Sequence, residues 1–445
     1  MFEQILSPVA QNALLSALVA ALPLATLFVM LGVFRVKAHV SALTSLAVVV
    51  TLAIAVWQMP PLQALSATAE GALYGLFPIL WILVNALWIY KLSVITGWFD
   101  VLGARIRAIS DDQRILAILI AFCFGALLES LAGFGAPVAI SAAMLIAAGM
   151  KPFKAAIVSL LANTAPVAFG AMGAPIITLS AVTGIDLDTL SKMAGRQTPF
   201  VALLVPFILV YLVDGKRGLK ETWQIALTAG VTFGLAQFVT SNFIAVEITD
   251  IVAAVATVAV VLAVLHFRKP PNSTPVEAPA VPPLTEGGGL APSGGVATAV
   301  LPKSEAPATS RTTWSAVAPY LVIIAVFSIS QIPAVKALLS AYGTWAFHWP
   351  GLDVVDSAGK PLAAQTFKLD HIKATGTLLL LSGLITMAIY KVSLRRALVA
   401  YRDTLHQLRF TIVTVMSVLA LSFVMNLSGQ TATLGFALAS TGAYF

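Results

Sequence analysis

The sequence predicts an all-α polytopic membrane protein, and three observations lead to this fold class. Of the 445 residues, 59% are hydrophobic and only 10% are charged, whereas a soluble domain carries about 25% charged residues. Apolar runs recur along the chain, and many approach the roughly 20 residues that a helix needs to cross a bilayer. The basic residues lie mainly in short turns between these runs.

The net charge of +7 fits membrane topology better than a nucleic-acid partner, because Lys and Arg concentrate in the cytoplasmic turns of membrane proteins. Membrane lipid is therefore an expected partner, and nucleic acid is not. The single cysteine, Cys123, excludes a disulfide within the chain. The five histidines are scattered along the sequence, which argues against a metal site. We expect neither a metal nor an organic cofactor.

The first three predicted spans cover residues 14–34, 40–57 and 71–90. Basic residues follow the first and third spans, whereas the turn after the second has none. The turns after the first and third spans are therefore expected in the cytoplasm, which places the N-terminus outside.

Residues 115–150 predict a re-entrant helical hairpin. A first arm over 115–128 reaches about 21 Å into the bilayer at 1.5 Å per residue. The tip, 129–137, contains Gly and Pro, and the second arm returns to Lys151 and Lys154. Those lysines indicate that the hairpin begins and ends on the cytoplasmic side.

A broken helix follows over residues 155–185, with Gly and Pro interrupting it between Asn163 and Pro175. A span at 198–213 then leads back to cytoplasmic basic residues. Together, residues 1–221 form a predicted first transmembrane repeat.

The rest of the chain divides into three predicted parts. Residues 222–269 form a transmembrane pair, with Glu247 and Asp250 in its outer turn. Residues 270–313 are rich in Pro, Gly and Ser, which is typical of a disordered cytoplasmic linker. The remaining residues, 314–445, supply further spans at 314–332, 375–390 and 410–436, with a long outer connection over 333–371.

Many transporters pair two inverted repeats around a site at mid-membrane. The first repeat here contains a hairpin and a broken helix, but the sequence of residues 314–445 suggests neither. We therefore expect an inverted-repeat architecture whose second gating half is truncated, in a chain that is incomplete at its C-terminus.

The two breaks are the main functional indication. Gly and Pro interrupt helices and so free backbone N–H and C=O groups. In hydrocarbon such groups are costly, and a break survives only where protein or a water-filled cavity satisfies them. Two breaks close together in sequence therefore predict a solute site inside the membrane.

Glu129 is the candidate proton carrier. It is the only acid between Arg114 and Asp186, and an acid at bilayer depth is costly and usually functional. A structural carboxyl group, hydrogen-bonded within the hairpin, is the alternative interpretation.

The candidate solute-binding residues surround the two breaks. Small residues at the tip would let backbone amides face an anion, although they would equally allow tight helix packing. Polar side chains at the second break can hydrogen-bond a carboxylate or a hydroxyl, or simply a neighbouring helix. The candidates are Ser130, Gly133, Gly135, Asn163, Thr164, Gly170 and Gly173.

At both breaks the sequence resembles the L-lactate permease family. The matching segments are 122–126 (FCFGA), 132–140 (AGFGAPVAI) and 163–173 (NTAPVAFGAMG), with shorter ones at 183–186, 195–197, 220–223 and 241–244. The resemblance implies a bacterial inner-membrane secondary transporter that carries L-lactate, and often D-lactate or glycolate, together with protons. It also implies inverted repeats with re-entrant hairpins, and it is compatible with a homodimer.

The sequence departs from the family in two places. Family members usually have Gly-Ala after the tip glutamate, where this chain has Ser130-Leu131. They also continue beyond the position of Phe445, with a second hairpin and a second break.

Two alternative classes remain at this stage. A transporter or channel for another small organic anion would share the same breaks. A membrane-embedded enzyme is disfavoured, because the sequence contains no Gly-x-Ser-x-Gly, His-Glu-x-x-His or P-loop motif, and we expect no catalytic residues.

Overall fold

The computed structural model of the protein describes residues 2–131, 133, 136–267, 313–357, 359–362 and 365–439. Helices dominate these residues. Within them, seven helices are long and apolar enough to cross a membrane, or eight if one bent pair counts as a single span. The all-α polytopic fold class is confirmed. The predicted linker, 270–313, lies outside the described residues except for Thr313.

The N-terminal elements follow the sequence prediction closely. Strand β1 (Phe2–Glu3) precedes helices α1 (Ala13–Gly32) and α2 (Ala38–Ala55). The side chain of Asn12 accepts hydrogen bonds from the first backbone N–H groups of α1, as an N-cap residue does. Both helices lie within two residues of the spans expected at 14–34 and 40–57.

The third span differs from its prediction. It begins at Pro61, well before residue 71, and consists of α3 (Pro61–Tyr74), a π-helical segment (Gly75–Leu80) and α4 (Trp81–Ile95). Within the π-helical segment Phe77 has non-helical angles (φ −138°, ψ 114°). Pro78 follows it and lacks a backbone donor, so the span is a broken helix that apolar periodicity alone does not show. A short helix, α5 (Trp98–Arg107), comes next.

The hairpin has a long first arm and a short second arm. The first arm runs continuously through α6 (Gln113–Leu116), a π-helical segment (Ala117–Phe124) and α7 (Gly125–Leu131). The second arm is α8 (Ala136–Ala147), which packs against the first.

The ends of the two hairpin arms meet, because the Gln113 side-chain amide donates to the carbonyl of Gly149 over 3.1 Å. The hairpin therefore begins and ends on the same side of the molecule.

The second broken helix consists of α9 (Pro152–Ala162) and α10 (Gly170–Thr183). Helix α11 (Leu187–Phe243) begins before the expected residue 198 and is divided at Asp214 and Gly215, whose angles are non-helical. Its two parts are the predicted return span and the first helix of the predicted pair. Helix α12 (Thr249–Phe267) is the second helix of that pair.

The last part of the chain departs most from prediction. Helix α13 (Thr313–Ser330) leads into α14 (Pro333–Gly343), through a bend of 83°. The expected outer connection contains α14 and strands β2 (Trp345–His348), β3 (Val354–Val355) and β4 (Thr366–Leu369). Strands β2 and β4 pair antiparallel, whereas β3 pairs parallel with β1. The N-terminus and this connection therefore lie on one side of the molecule.

The final helices are α15 (Thr375–Ile389), α16 (Leu394–Ser428) and α17 (Gln430–Ala439). The expected single span at 410–436 is wrong, because Gly429 (φ +91°) ends α16 and starts a new helix. A left-handed glycine is a common way to end a helix.

The first arm of the hairpin occupies the centre of the molecule. Every residue in its most apolar window is buried, and it forms the largest hydrophobic cluster with α9, α11 and α12. Helices α3 and α16 approach each other closely at Gly71, where an added Cβ would lie 2.6 Å from the Cα of Ala420. Small residues at a helix crossing allow this approach in membranes.

Candidate functional site

The hairpin tip touches the second break. Gly133 is buried and has φ +50°. A Cβ added to Gly133 would lie 3.0 Å from the Cβ of Ala171. Helix α7 also packs against α10. The two breaks that are separate in sequence therefore form one region in the structure.

The second break contains an unusual backbone. Ala171 (φ 45°), Met172 (φ 58°) and Gly173 (φ 73°) are three consecutive left-handed residues. For a non-glycine residue this conformation costs roughly 1–2 kcal/mol. All three are buried, and an added Cβ on Gly173 would lie 3.2 Å from the carbonyl oxygen of Val246. Packing holds this strained turn, and such strain is characteristic of binding sites.

Glu129 lies where these parts meet. It is 4% exposed, and the Asn163 side chain lies close enough to interact with its carboxyl group. A Cβ added to Gly170 would come within 2.7 Å of Glu129 Oε1, so the absence of a side chain at Gly170 makes room for the carboxyl group. Glu129 Oε2 and Asn163 Oδ1 have no hydrogen-bond partner in the described part of the chain.

The structure therefore gathers five of the predicted site residues in one region: Glu129, Gly133, Asn163, Gly170 and Gly173. Ser130 is buried, but its hydroxyl donates to the Leu127 carbonyl over 2.7 Å and is thus committed to its own helix. Thr164 lies at the second break with an exposed side chain. Gly135 lies outside the described residues.

Sequence reasoning missed Asp250 as a site residue. Expected in an outer turn, Asp250 is instead fully buried in the first turn of α12. Gln237 on α11 donates from Nε2 to Asp250 Oδ1 over 3.1 Å and to the Ala165 carbonyl in the second break over 3.4 Å. The position of Asp250 at the very start of an apolar run was the feature of the sequence that could have identified it.

A third break also borders the site. The π-helical segment Gly75–Leu80 and helix α4 both contact α10, and α4 contacts α7 as well. One turn before this segment, Glu70 is 1% exposed, and its Oε2 lacks a hydrogen-bond partner among the described residues. Sequence analysis overlooked both features, although an acid and a proline beside an apolar run were available signals.

The described residues contain no cluster of three or more His, Cys, Asp or Glu side chains that could hold a metal ion. Where the hairpin tip meets the second break, at the junction of these two parts, the polar groups are the Glu129 carboxyl and the Asn163 amide. Such groups can exchange protons and hydrogen-bond a small solute.

A family model described as L-lactate permease matches residues 16–445. The chain belongs to the L-lactate permease family. It is therefore a multi-pass membrane permease and not an enzyme.

Several permeases match almost the whole chain. The glycolate permease GlcA of Escherichia coli is 39% identical over 97% of this chain and 78% of its own length. An L-lactate permease of Bacillus subtilis is 35% identical over 100% of this chain and 80% of its own length. An L-lactate permease of Escherichia coli is 37% identical over 98% and 78%, respectively. No solved structure matches the chain.

Proposed function

We propose that this protein carries small 2-hydroxymonocarboxylates, namely L-lactate, D-lactate and glycolate, together with protons across the bacterial inner membrane. The names of its relatives support the substrate class. The observation that carries the mechanism is the position of Glu129, buried where the hairpin tip meets the second break.

Asn163 is the proposed contact for the substrate hydroxyl. Its side chain lies beside Glu129, and its Oδ1 is a buried acceptor with no partner within the described residues. The hydroxyl group of a 2-hydroxy acid is a donor that could satisfy this acceptor. Propionate has the same carbon skeleton as lactate but lacks that donor.

The carboxylate of the substrate would lie against the glycine-containing backbone. A Cβ added at Gly133 or Gly170 would meet Ala171 or Glu129, so these glycines let the two breaks pack closely and leave backbone without side chains of its own beside the proposed site. Partial positive charge at the start of α10 would favour an anion there.

Glu129 is the proposed proton carrier. An isolated charge in a low-dielectric interior is costly, so a proton bound together with the anion leaves the loaded site closer to neutral. This lowers the cost of moving the substrate through the membrane barrier.

The test is Glu129→Gln in the full-length protein, reconstituted in lipid vesicles. We expect an inward lactate gradient to drive proton uptake with the wild type but not with the variant, because an amide cannot carry the proton. Glu3→Gln, at an exposed acid on β1, is the matched control. If Glu129→Gln retains the wild-type number of protons per lactate, Glu129 is not the carrier.

A further inference from the structure

Asp250 is a buried acid that the proposed mechanism does not yet use. Its side chain is fully buried, and one of its oxygens, Oδ1, accepts from Gln237. The other oxygen, Oδ2, has no hydrogen-bond partner in the described residues. A bare carboxylate in such a place is expensive unless it is paired or protonated.

The polar atoms around Asp250 include more hydrogen-bond acceptors than donors. Gln237 Nε2 lies beside two acceptors, Asp250 Oδ1 and the Ala165 carbonyl, which determines the orientation of the amide. Gln237 Oε1 therefore faces no donor, and it too has no hydrogen-bond partner in the part of the chain described. A proton on Asp250 would remove the uncompensated charge and add a donor to a site that has too many acceptors.

Asp250 also interacts with Glu129. Helix α12, which carries Asp250, packs against α7, which carries Glu129. Glu129 is a charged side chain close enough to act on Asp250 electrostatically. The contact from α11 is the uncharged amide of Gln237. Two carboxylates that interact in a low-dielectric interior cannot both ionise cheaply, which favours binding of a proton by the pair.

We propose that Asp250 is a second proton-binding residue of the carrier, paired electrostatically with Glu129 and connected to the second break through Gln237. The proposal rests on the proposed function for the identity of the transported solute. The connection is direct, because Gln237 joins Asp250 to the Ala165 carbonyl. A change in the protonation of Asp250 changes what Gln237 can bind and therefore how firmly the break is held.

Labelling of the wild-type protein tests the protonation of Asp250 without requiring transport. Dicyclohexylcarbodiimide reacts with protonated carboxyl groups in apolar surroundings and is located by peptide mass spectrometry. We expect Asp250 to be labelled at neutral pH in vesicles. In Glu129→Gln the labelling of Asp250 should be lost at a lower pH than in the wild type, because the negative charge that opposes ionisation of Asp250 is gone. An Asp250 that stays unlabelled at neutral pH overturns the proposal.

Transport by Asp250→Asn tests the coupling. Asparagine keeps the size of the side chain and an oxygen for Gln237, but it cannot carry a proton. We expect the variant to carry fewer protons per lactate than the wild type, and the accumulation driven by a pH gradient to fall with that ratio. The matched control is Asp188→Asn, at an exposed acid paired with Lys192, which should leave both unchanged.

The two experiments separate this proposal from the proposed function. A wild-type ratio of protons to lactate in Asp250→Asn overturns the role of Asp250 even when lactate is carried. If the wild type carries no lactate at all, the proposed function fails, and labelling of Asp250 still decides whether it holds a proton. If Asp250→Asn does not reach the membrane, labelling of the wild type still shows whether Asp250 holds a proton.

Discussion

At the scale of single residues, Gly170 determines where the Glu129 carboxyl group can lie. A Cβ at Gly170 would come within 2.7 Å of Glu129 Oε1 and 3.0 Å of its Cγ. Real Cβ atoms do not approach other atoms this closely, so the side chain of Glu129 would have to move. The position of the proposed proton carrier therefore depends on the absence of one methyl group.

We predict that Gly170→Ala lowers the initial rate of lactate uptake at least tenfold while the protein still folds. Displacing a positioned group by about 1 Å can cost about a hundredfold in rate. Initial rates in vesicles measure lactate uptake, and the elution profile in detergent shows whether the variant folds. Gly435→Ala, on a helix where an added Cβ meets nothing within 4 Å, should transport normally. Equal rates for the two variants would contradict the geometry.

Asn163 gives a second prediction at this scale, concerning specificity. We expect Asn163→Ala to lose most of the preference for lactate over propionate, because the acceptor for the hydroxyl is gone. A hydrogen bond between neutral groups contributes about 1 kcal/mol, which corresponds to several-fold in affinity. Competition of each unlabelled acid with radioactive lactate measures the preference. If the preference is unchanged in the variant, the hydroxyl of lactate binds a group other than Asn163.

At the scale of elements, the ends of several helices are joined by Arg114. Its side chain is fully buried and contacts Asp112 at 2.7 Å, Asp214 at 3.0 Å and Glu221 at 2.7 Å. Arg114 is one of the basic residues that follow the third predicted span, where the sequence indicates a cytoplasmic turn. In the structure it ties the start of the hairpin to both parts of α11 at their junction.

We predict that Arg114→Met destabilises the protein by about 3 kcal/mol, because it leaves the buried Asp112 and two partly exposed acids without their cation. Thermal unfolding in detergent measures the loss as a lower Tm. Arg217→Met is the control, since Arg217 is more exposed and pairs only with Glu221 among the ion pairs observed. Arg217→Met should lower the Tm much less. Similar decreases in Tm for the two variants would contradict the importance of the burial of Arg114.

Gly215 separates the two parts of α11 and provides another prediction for this scale. Its angles (φ 61°, ψ −147°) lie in a region that is essentially restricted to glycine. An added Cβ would meet nothing within 4 Å, so only the backbone opposes substitution. We expect Gly215→Ala to cost about 1–3 kcal/mol, measured as a lower Tm. Gly32→Ala, which also meets nothing within 4 Å but has no positive φ, should be nearly neutral.

At the scale of the whole molecule, contacts join connections that are distant in sequence. Gln113 donates to the Gly149 carbonyl where the two hairpin arms end, and Lys154 donates to the Val213 carbonyl over 2.8 Å. Strand β1 pairs with β3 in the outer connection. The contact between Gln113 and Gly149 agrees with the hairpin beginning and ending on one face.

We predict that single cysteines replacing Lys151 and Lys216 react with a membrane-impermeant thiol reagent from the cytoplasmic side only. Cysteines replacing Glu3 and Asp188 should react from the outside only. The native Cys123 is buried and should stay unreactive in intact vesicles, which provides an internal control. Labelling of Lys151→Cys and Asp188→Cys from the same side would overturn this topology.

The membrane class, most helix positions and the two breaks around Glu129 could be predicted from the amino-acid sequence. These follow from local physics, because a lipid interior requires long apolar helices and makes Gly, Pro and acids within them conspicuous. The same local signals found Asn163, Gly133 and Gly170. The family match then supported the interpretation of the breaks as parts of a permease.

Which separated residues share one environment could be seen only from the packing of the helices. Asp250 looked like a turn residue beside an apolar run, yet packing of α12 against α7 and α11 buries it next to Gln237 and within the electrostatic reach of Glu129. Likewise, the interruptions at Phe77 and Gly429 depend on backbone angles that apolar periodicity does not report. Burial and the supply of hydrogen-bond partners are properties of neighbours in space, and these neighbours come from distant parts of the chain.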